Sequence, residues 1–165
     1  MENILSIITS ILTVKTLLLI LGGTAFGILI GAIPGLTVNL AVAVMIPVTF
    51  YLAPVEAMAF LISIYKSGTF GGSISAILIG TPGTPAAAAT AIDGYALTKK
   101  GRAGEALSMA LYASVFADVI SNVVLIALAS KVAGIALKFG PAEYTLLVLF
   151  SLIIISGVSS KTPVQ

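Results

Sequence analysis

Neither cysteine nor histidine occurs anywhere in the 165 residues. Without thiols there is no disulfide framework and no thiolate metal site. Without imidazoles there is no Ser-His or Cys-His catalysis, and the usual zinc ligands are gone. Charge is scarce as well, with Asp, Glu, Lys and Arg at 8% of the chain, against about 25% in a typical soluble domain. Six carboxylates and eight cations are all that is left for ionic chemistry. Asp93 and Asp118 lie in no aspartyl-peptidase motif, and the net charge of +2, with Lys15, Lys66, Lys131, Lys138 and Lys161 scattered singly, gives nucleic acid no basic face to bind.

What the sequence has instead is hydrocarbon: 59% of its residues are hydrophobic and the mean hydropathy is +1.19. This composition predicts an integral membrane protein in contact with the lipid bilayer, all-α, a polytopic bundle of about five membrane segments forming a single domain over residues 1–165. The N-terminus does not fit a cleaved signal peptide, since Glu2 stands where a basic region belongs and the apolar run after Lys15 is too long. Residues 16–33 are uncharged and cross a core of about 30 Å at about 1.5 Å per residue. Within them Gly23, Gly27 and Gly31 recur every fourth position, which puts all three on one face and lets another backbone approach closely, the alternative being direct ligand contact. Pro34-Gly35 ends this span, and 36–53 forms the second, with Asn39 near its start and Pro47 as a kink. Asn39 is either an interhelical hydrogen bond or a contact to substrate or ion.

Residues 56–79 are long enough to span, yet they carry Lys66, Ser67, Thr69, Ser73, Ser75 and three glycines, so they are not expected to face lipid. The segment then breaks at Gly80-Thr81-Pro82-Gly83-Thr84-Pro85. Two prolines remove amide donors and two glycines permit positive φ, so a helix cannot pass without freeing main-chain polar groups. At membrane depth such backbone is tolerated where it is buried in protein or lines an aqueous cavity, and a broken or re-entrant helix there is a binding-site hypothesis. A short helix over 86–92 resumes with Thr84 as N-cap and Pro85 first, and Asp93-Gly94 ends it. The basic cluster Lys99-Lys100-Gly101-Arg102 follows and is expected in the cytoplasm. Whether 56–92 crosses once or folds back stays open. The next span is 105–130, where Asp118 serves either a structural hydrogen bond or ion and proton coupling. An interfacial piece over 131–139, a last span over 141–156 and a polar, frayed tail complete the reading. Gly31-Ala32-Ile33-Pro34-Gly35 and Ile79-Gly80-Thr81-Pro82-Gly83 both end on Pro-Gly before an apolar helix, which suggests two broken helices meeting at one site.

The run Gly71-Gly72-Ser73-Ile74-Ser75-Ala76-Ile77-Leu78, the break with Ala86-Ala87-Ala88-Ala89-Thr90 after it, then Asp93-Gly94-Tyr95 and Lys99-Lys100-Gly101, closely resembles the large membrane subunit of the tripartite tricarboxylate transporters. Gly31 to Leu36 resembles that family's other N-terminal signature. The resemblance implies a non-enzymatic secondary transporter in the bacterial inner membrane. It would import carboxylates handed over by a periplasmic solute-binding protein, beside a small membrane subunit. Ion-gradient coupling, commonly to sodium, is implied, and no other cofactor. Family members are longer, so the chain resembles the N-terminal portion of a larger transporter fold, not expected to transport alone. Tyr65 to Phe70 and Asp118 depart from the family's small-residue pattern.

A carboxylate suits the break physically. Amides and hydroxyls at Thr81, Gly83 and Thr84, aided by a half-helix dipole, form an anion site without arginine. The expected substrate residues are Pro34, Gly35, Asn39, Gly80, Thr81, Pro82, Gly83 and Thr84, and the expected ion-coupling residues Ser73, Ser75, Thr81 and Asp118. The glycines and prolines alternatively only shape a tight helix crossing. A second function class is a non-transporting membrane scaffold that packs through Gly23, Gly27 and Gly31.

Overall fold

A computed structural model describes residues 11–136 and 139–159. Among the described residues there are six α-helices and one 3-10 turn: α1 Val14–Gly31, α2 Val38–Thr49, α3 Pro54–Ile79, the turn Pro85–Ala87, α4 Ala88–Lys99, α5 Ala103–Ala136 and α6 Pro141–Ser159. Two compact units divide the chain, Met1–Phe116 and Ala117–Gln165.

The first unit is built on α1 and α3. Thr13 opens α1, its hydroxyl accepting the Thr16 N–H at 3.3 Å, and the residues α1 buries are Thr16, Gly23, Gly27 and Gly31. The glycine face meets α3. A Cβ on Gly23 would lie 3.0 Å from the Phe60 carbonyl oxygen, one on Gly27 3.0 Å from Ile64 Cα, and one on Gly31 2.8 Å from Gly68 Cα. From the other side, a Cβ on Gly71 would lie 2.7 Å from the Ile28 carbonyl oxygen. The two backbones therefore touch, as the spacing predicts, and no side chain larger than hydrogen fits between them. Positions rise together along both helices, so α1 and α3 run parallel. At their beginnings Lys15 Nζ meets Glu56 Oε2 at 2.7 Å, and Glu56 also accepts the Ala53 N–H at 3.2 Å, closing the first turn of α3.

Parallel neighbours need a return between them, and α2 supplies it. Thr37 caps it by accepting the Leu40 N–H at 3.2 Å. Val38 lies against Gly68, and Ala41 packs with Phe60 and Ile64 in a buried apolar cluster, so α2 descends as α3 climbs. It is shorter than the expected 36–53, beginning at the Thr37 cap and ending at Thr49, with Pro47 inside it.

The second unit contains the rest of α5 and α6. Its apolar side chains are exposed along both helices, from Val119 and Ile126 to Phe150 and Ile153. A separate piece beginning at Lys131 is not formed: α5 continues through Lys131 to Ala136, and no proline interrupts it. Residues 137 and 138 and the polar tail from 160 onward, expected to fray, lie outside the described residues.

Candidate functional site

The break begins where Gly80 closes α3 at φ 71°, its N–H donating to the Ala76 carbonyl at 3.1 Å. An L-residue is disfavoured at that φ, and the Tyr95 ring packs where a Cβ would stand, 2.9 Å away. The chain then turns back along the helix it has just left. Gly83 N–H donates to the Gly72 carbonyl at 3.2 Å, and a Cβ on Gly72 would lie 2.8 Å from Thr84 N. From Gly80 to Gly72 is about 12 Å of helix, so the loop re-enters by two turns.

Here it meets α1. A Cβ on Gly83 would collide with the Gly31 carbonyl oxygen and lie 3.0 Å from both Gly72 Cα and Ser75 Oγ. Gly83 thus touches Gly31, the first residue of the other Pro-Gly segment, while a Cβ on Gly35 would meet nothing within 4 Å.

From this depth the chain climbs out again. After the turn over Pro85–Ala87, α4 follows the direction of α3: a Cβ on Gly94 would lie 2.7 Å from Ile77 Cγ1, and Thr98 Oγ1 donates to the Ile77 carbonyl at 2.7 Å and to the Gly94 carbonyl at 3.2 Å. Residues 81–84 with α4 form a re-entrant excursion that returns to the end at which α3 finished. The helix expected to stop at Asp93-Gly94 runs on to Lys99, because Gly94 is a point of contact with Ile77 and not a terminator. Lys99 Nζ sits 4.6 Å from the Tyr95 ring centre, and Gly101 turns the chain at φ 77°. Arg102 then holds Glu105 on the first turn of α5 with two hydrogen bonds, of 3.0 and 2.5 Å.

Thr84 is the unusual member. It occupies the cap position before Pro85 with extended backbone, but its side chain makes no capping bond. The residue is 8% exposed, and Thr84 Oγ1 is buried with no hydrogen-bond partner. A buried hydroxyl left unpaired costs about 1–3 kcal/mol. The other expected site residues divide. Gly83 lies in the junction, but its N–H is taken by Gly72, so it is not a free donor for an anion. Thr81 and Pro82 are exposed at the turn, Pro34 and Gly35 are exposed between α1 and α2, and Asn39 is exposed on the first turn of α2. Ser75 faces the junction and donates to the Gly72 carbonyl at 3.1 Å. Ser73, two residues away and on another side of α3, lines a separate cavity, so the two serines do not form one ligand set. Asp118 belongs to the second unit, where Asn122 donates to it at 3.2 Å from one turn along the same helix.

Gly72, Tyr95 and Thr98 also shape the re-entrant segment. The sequence marks Gly72 and Tyr95 only as members of the motifs that carry the family resemblance, and Thr98 has no signal there.

Among the described residues the chain is all-helical, helices α1 and α5 are long and apolar enough to cross a membrane, and one of its loops folds back between helices. The comparison with known families is specific: the Tripartite tricarboxylate transporter TctA family matches over residues 17–165, and the chain belongs to that family. It is also similar to an uncharacterized 52.8 kDa protein in the TAR-I ttuC' 3' region of Agrobacterium vitis, at 41% identity over 132 residues, covering 80% of this chain and 26% of the relative. The chain therefore spans about a quarter of the length of that relative. No solved structure matches it.

Proposed function

We propose that the chain forms part of the multi-pass membrane subunit of a tripartite secondary transporter. It would import tricarboxylates or related organic acids across a bacterial inner membrane by ion-gradient coupling, sodium being the candidate ion. A periplasmic solute-binding protein and a small membrane subunit are its partners in this reading. Family membership supports the class, and the orphan hydroxyl of Thr84 at the tip of a re-entrant loop is the observation that carries the site. Transporters build substrate and ion sites from interrupted helices near the middle of the membrane, and a polar group without an internal partner is a group available to a ligand. In this reading the loop shifts to present Thr84, with Thr81 and the start of the Pro85 turn, to a carboxylate. The scaffold alternative loses its surface, because the glycine stripe is already covered by α3.

Thr84→Val tests the site cleanly. It exchanges an unpaired hydroxyl for a methyl of the same shape, so stability is expected unchanged or raised. Uptake of labelled tricarboxylate by the complete system is expected to fall at least tenfold at equal membrane abundance. Normal uptake would sink the assignment. Gly83→Leu is not an equivalent probe, because its side chain would strike the backbone of Gly31 and Gly72 and displace the loop.

The topology in this proposal follows from direction. Since α1 and α3 run parallel and α4 leaves where α3 ends, the turn over 100–102 and the start of α1 face opposite sides. Positive charge puts the turn in the cytoplasm. In this cysteine-free chain, Leu12→Cys should react with a membrane-impermeant maleimide on intact spheroplasts, and Lys100→Cys only after permeabilisation. Labelling of both from one side would overturn the arrangement.

A further inference from the structure

We propose that the cavity between the last turns of α3, helix α4 and the first turns of α5 binds a hydrated monovalent inorganic cation, held by the Asp93 carboxylate with the hydroxyls of Ser73, Thr90 and Ser114. The cavity measures about 330 Å³ and is lined by these four polar residues and by apolar ones that include Ile77, Leu97 and Met109. Thr90, Asp93 and Leu97 follow one another at helical spacing on α4, and Ser73 and Ile77 do so on α3, so two helices turn a continuous face toward it. Asp93 alone among the lining residues carries a charge.

Charge and size select the ligand. Asp93 and Ser114 are exposed at this open cavity, and a carboxylate beside apolar walls in a membrane protein favours a cation and repels the anions proposed for the break. Among the described residues no three Asp, Glu, His or Cys side chains group together, so a divalent ion would lack the several charged oxygens it requires. At about 30 Å³ per water, the volume accommodates one ion with its inner hydration shell. The hydroxyls then meet the ion directly or through that water, as hard oxygen donors. The cavity is distinct from the junction around Thr84: Ser73 faces it, while Ser75 faces Gly83. It does not depend on the carboxylate reading, and its test reads binding and not uptake.

The measurement is the thermal unfolding midpoint of the purified 165-residue chain in detergent, titrated with sodium chloride against choline chloride at constant ionic strength and repeated with potassium and ethylammonium. Sodium or potassium should raise the midpoint saturably over choline. Asp93→Asn should move half-saturation at least tenfold upward, and Glu143→Gln, which removes a carboxylate elsewhere, should not. Should Asp93→Asn fail to fold, Thr90→Val carries the test, with a few-fold weakening expected. No difference between sodium or potassium and choline, an unchanged response in both cavity variants, or a stronger response to ethylammonium than to either inorganic ion would each overturn the proposal.

Discussion

Helices α1 and α5 are nearly equal in hydropathy and both are long enough to span a bilayer, yet they are used in opposite ways. Along α1 four residues are buried, three of them glycines pressed on α3. Along the second-unit part of α5 apolar side chains stand exposed, and Gly134 has nothing near it. Apolar content therefore says only that a helix tolerates lipid. In a bilayer lipid tails are as apolar as Leu, so helices associate through backbone approach, dispersion and polar contacts, and small residues at a fixed spacing record where that happens.

The largest effect expected from this contrast is a reversal of sign for one substitution. Gly27→Ala places a methyl 3.0 Å from Ile64 Cα and closer still to the Ile64 carbonyl oxygen and Ser67 Oγ. Backbone cannot yield as a flexible side chain would, so the α1 and α3 pair must separate, at a cost of about 1–3 kcal/mol or more. Gly134→Ala meets no atom within 4 Å and should gain about 1 kcal/mol from helix propensity. SDS-induced unfolding of the purified chain in mixed micelles measures both, and a loss of similar size in the two would show that the stripe is not special.

The same contrast explains what could be read from the residues. The stripe at Gly23, Gly27 and Gly31 announced its contact because a period of four on a helix is a local property. The break at Gly80 to Pro85 was legible for the same reason: proline and glycine act on their own backbone whatever surrounds them. What could not be read depends on which backbone lies opposite. Gly94 looked like a helix stop and is a contact point for Ile77, the Gly83 amide looked free and is held by Gly72, and Ser73 and Ser75 looked like one ligand set and face different sides of α3. The direction of the segment after the break was open for want of any local signal. It follows from Thr84 beside Gly72 and Gly94 beside Ile77.

A smaller effect sharpens the comparison at the level of single hydroxyls. In the second unit Thr145 Oγ1 donates to the Pro141 carbonyl at 2.9 Å, and Ser151 Oγ to the Leu147 carbonyl at 2.8 Å, each four residues back on its own helix. Such bonds only satisfy the hydroxyl. Thr98 makes the same local bond to Gly94, but its shorter contact crosses to the Ile77 carbonyl, near the C-terminal end of α3 where helix carbonyls lack an internal partner. Its removal should therefore act on the docking of α4. Thr98→Val keeps the shape, loses one interhelical hydrogen bond and is expected to cost about 1 kcal/mol, whereas Thr145→Val should be within about 0.5 kcal/mol of neutral. Amide hydrogen exchange localises the difference: Thr98→Val should speed exchange in α4 and leave α1 unchanged, because the contacts between α1 and α3 do not pass through Thr98. Equal protection of α4 in the variant and the parent chain would mean that Gly94 and Tyr95 hold the re-entrant segment without the hydroxyl.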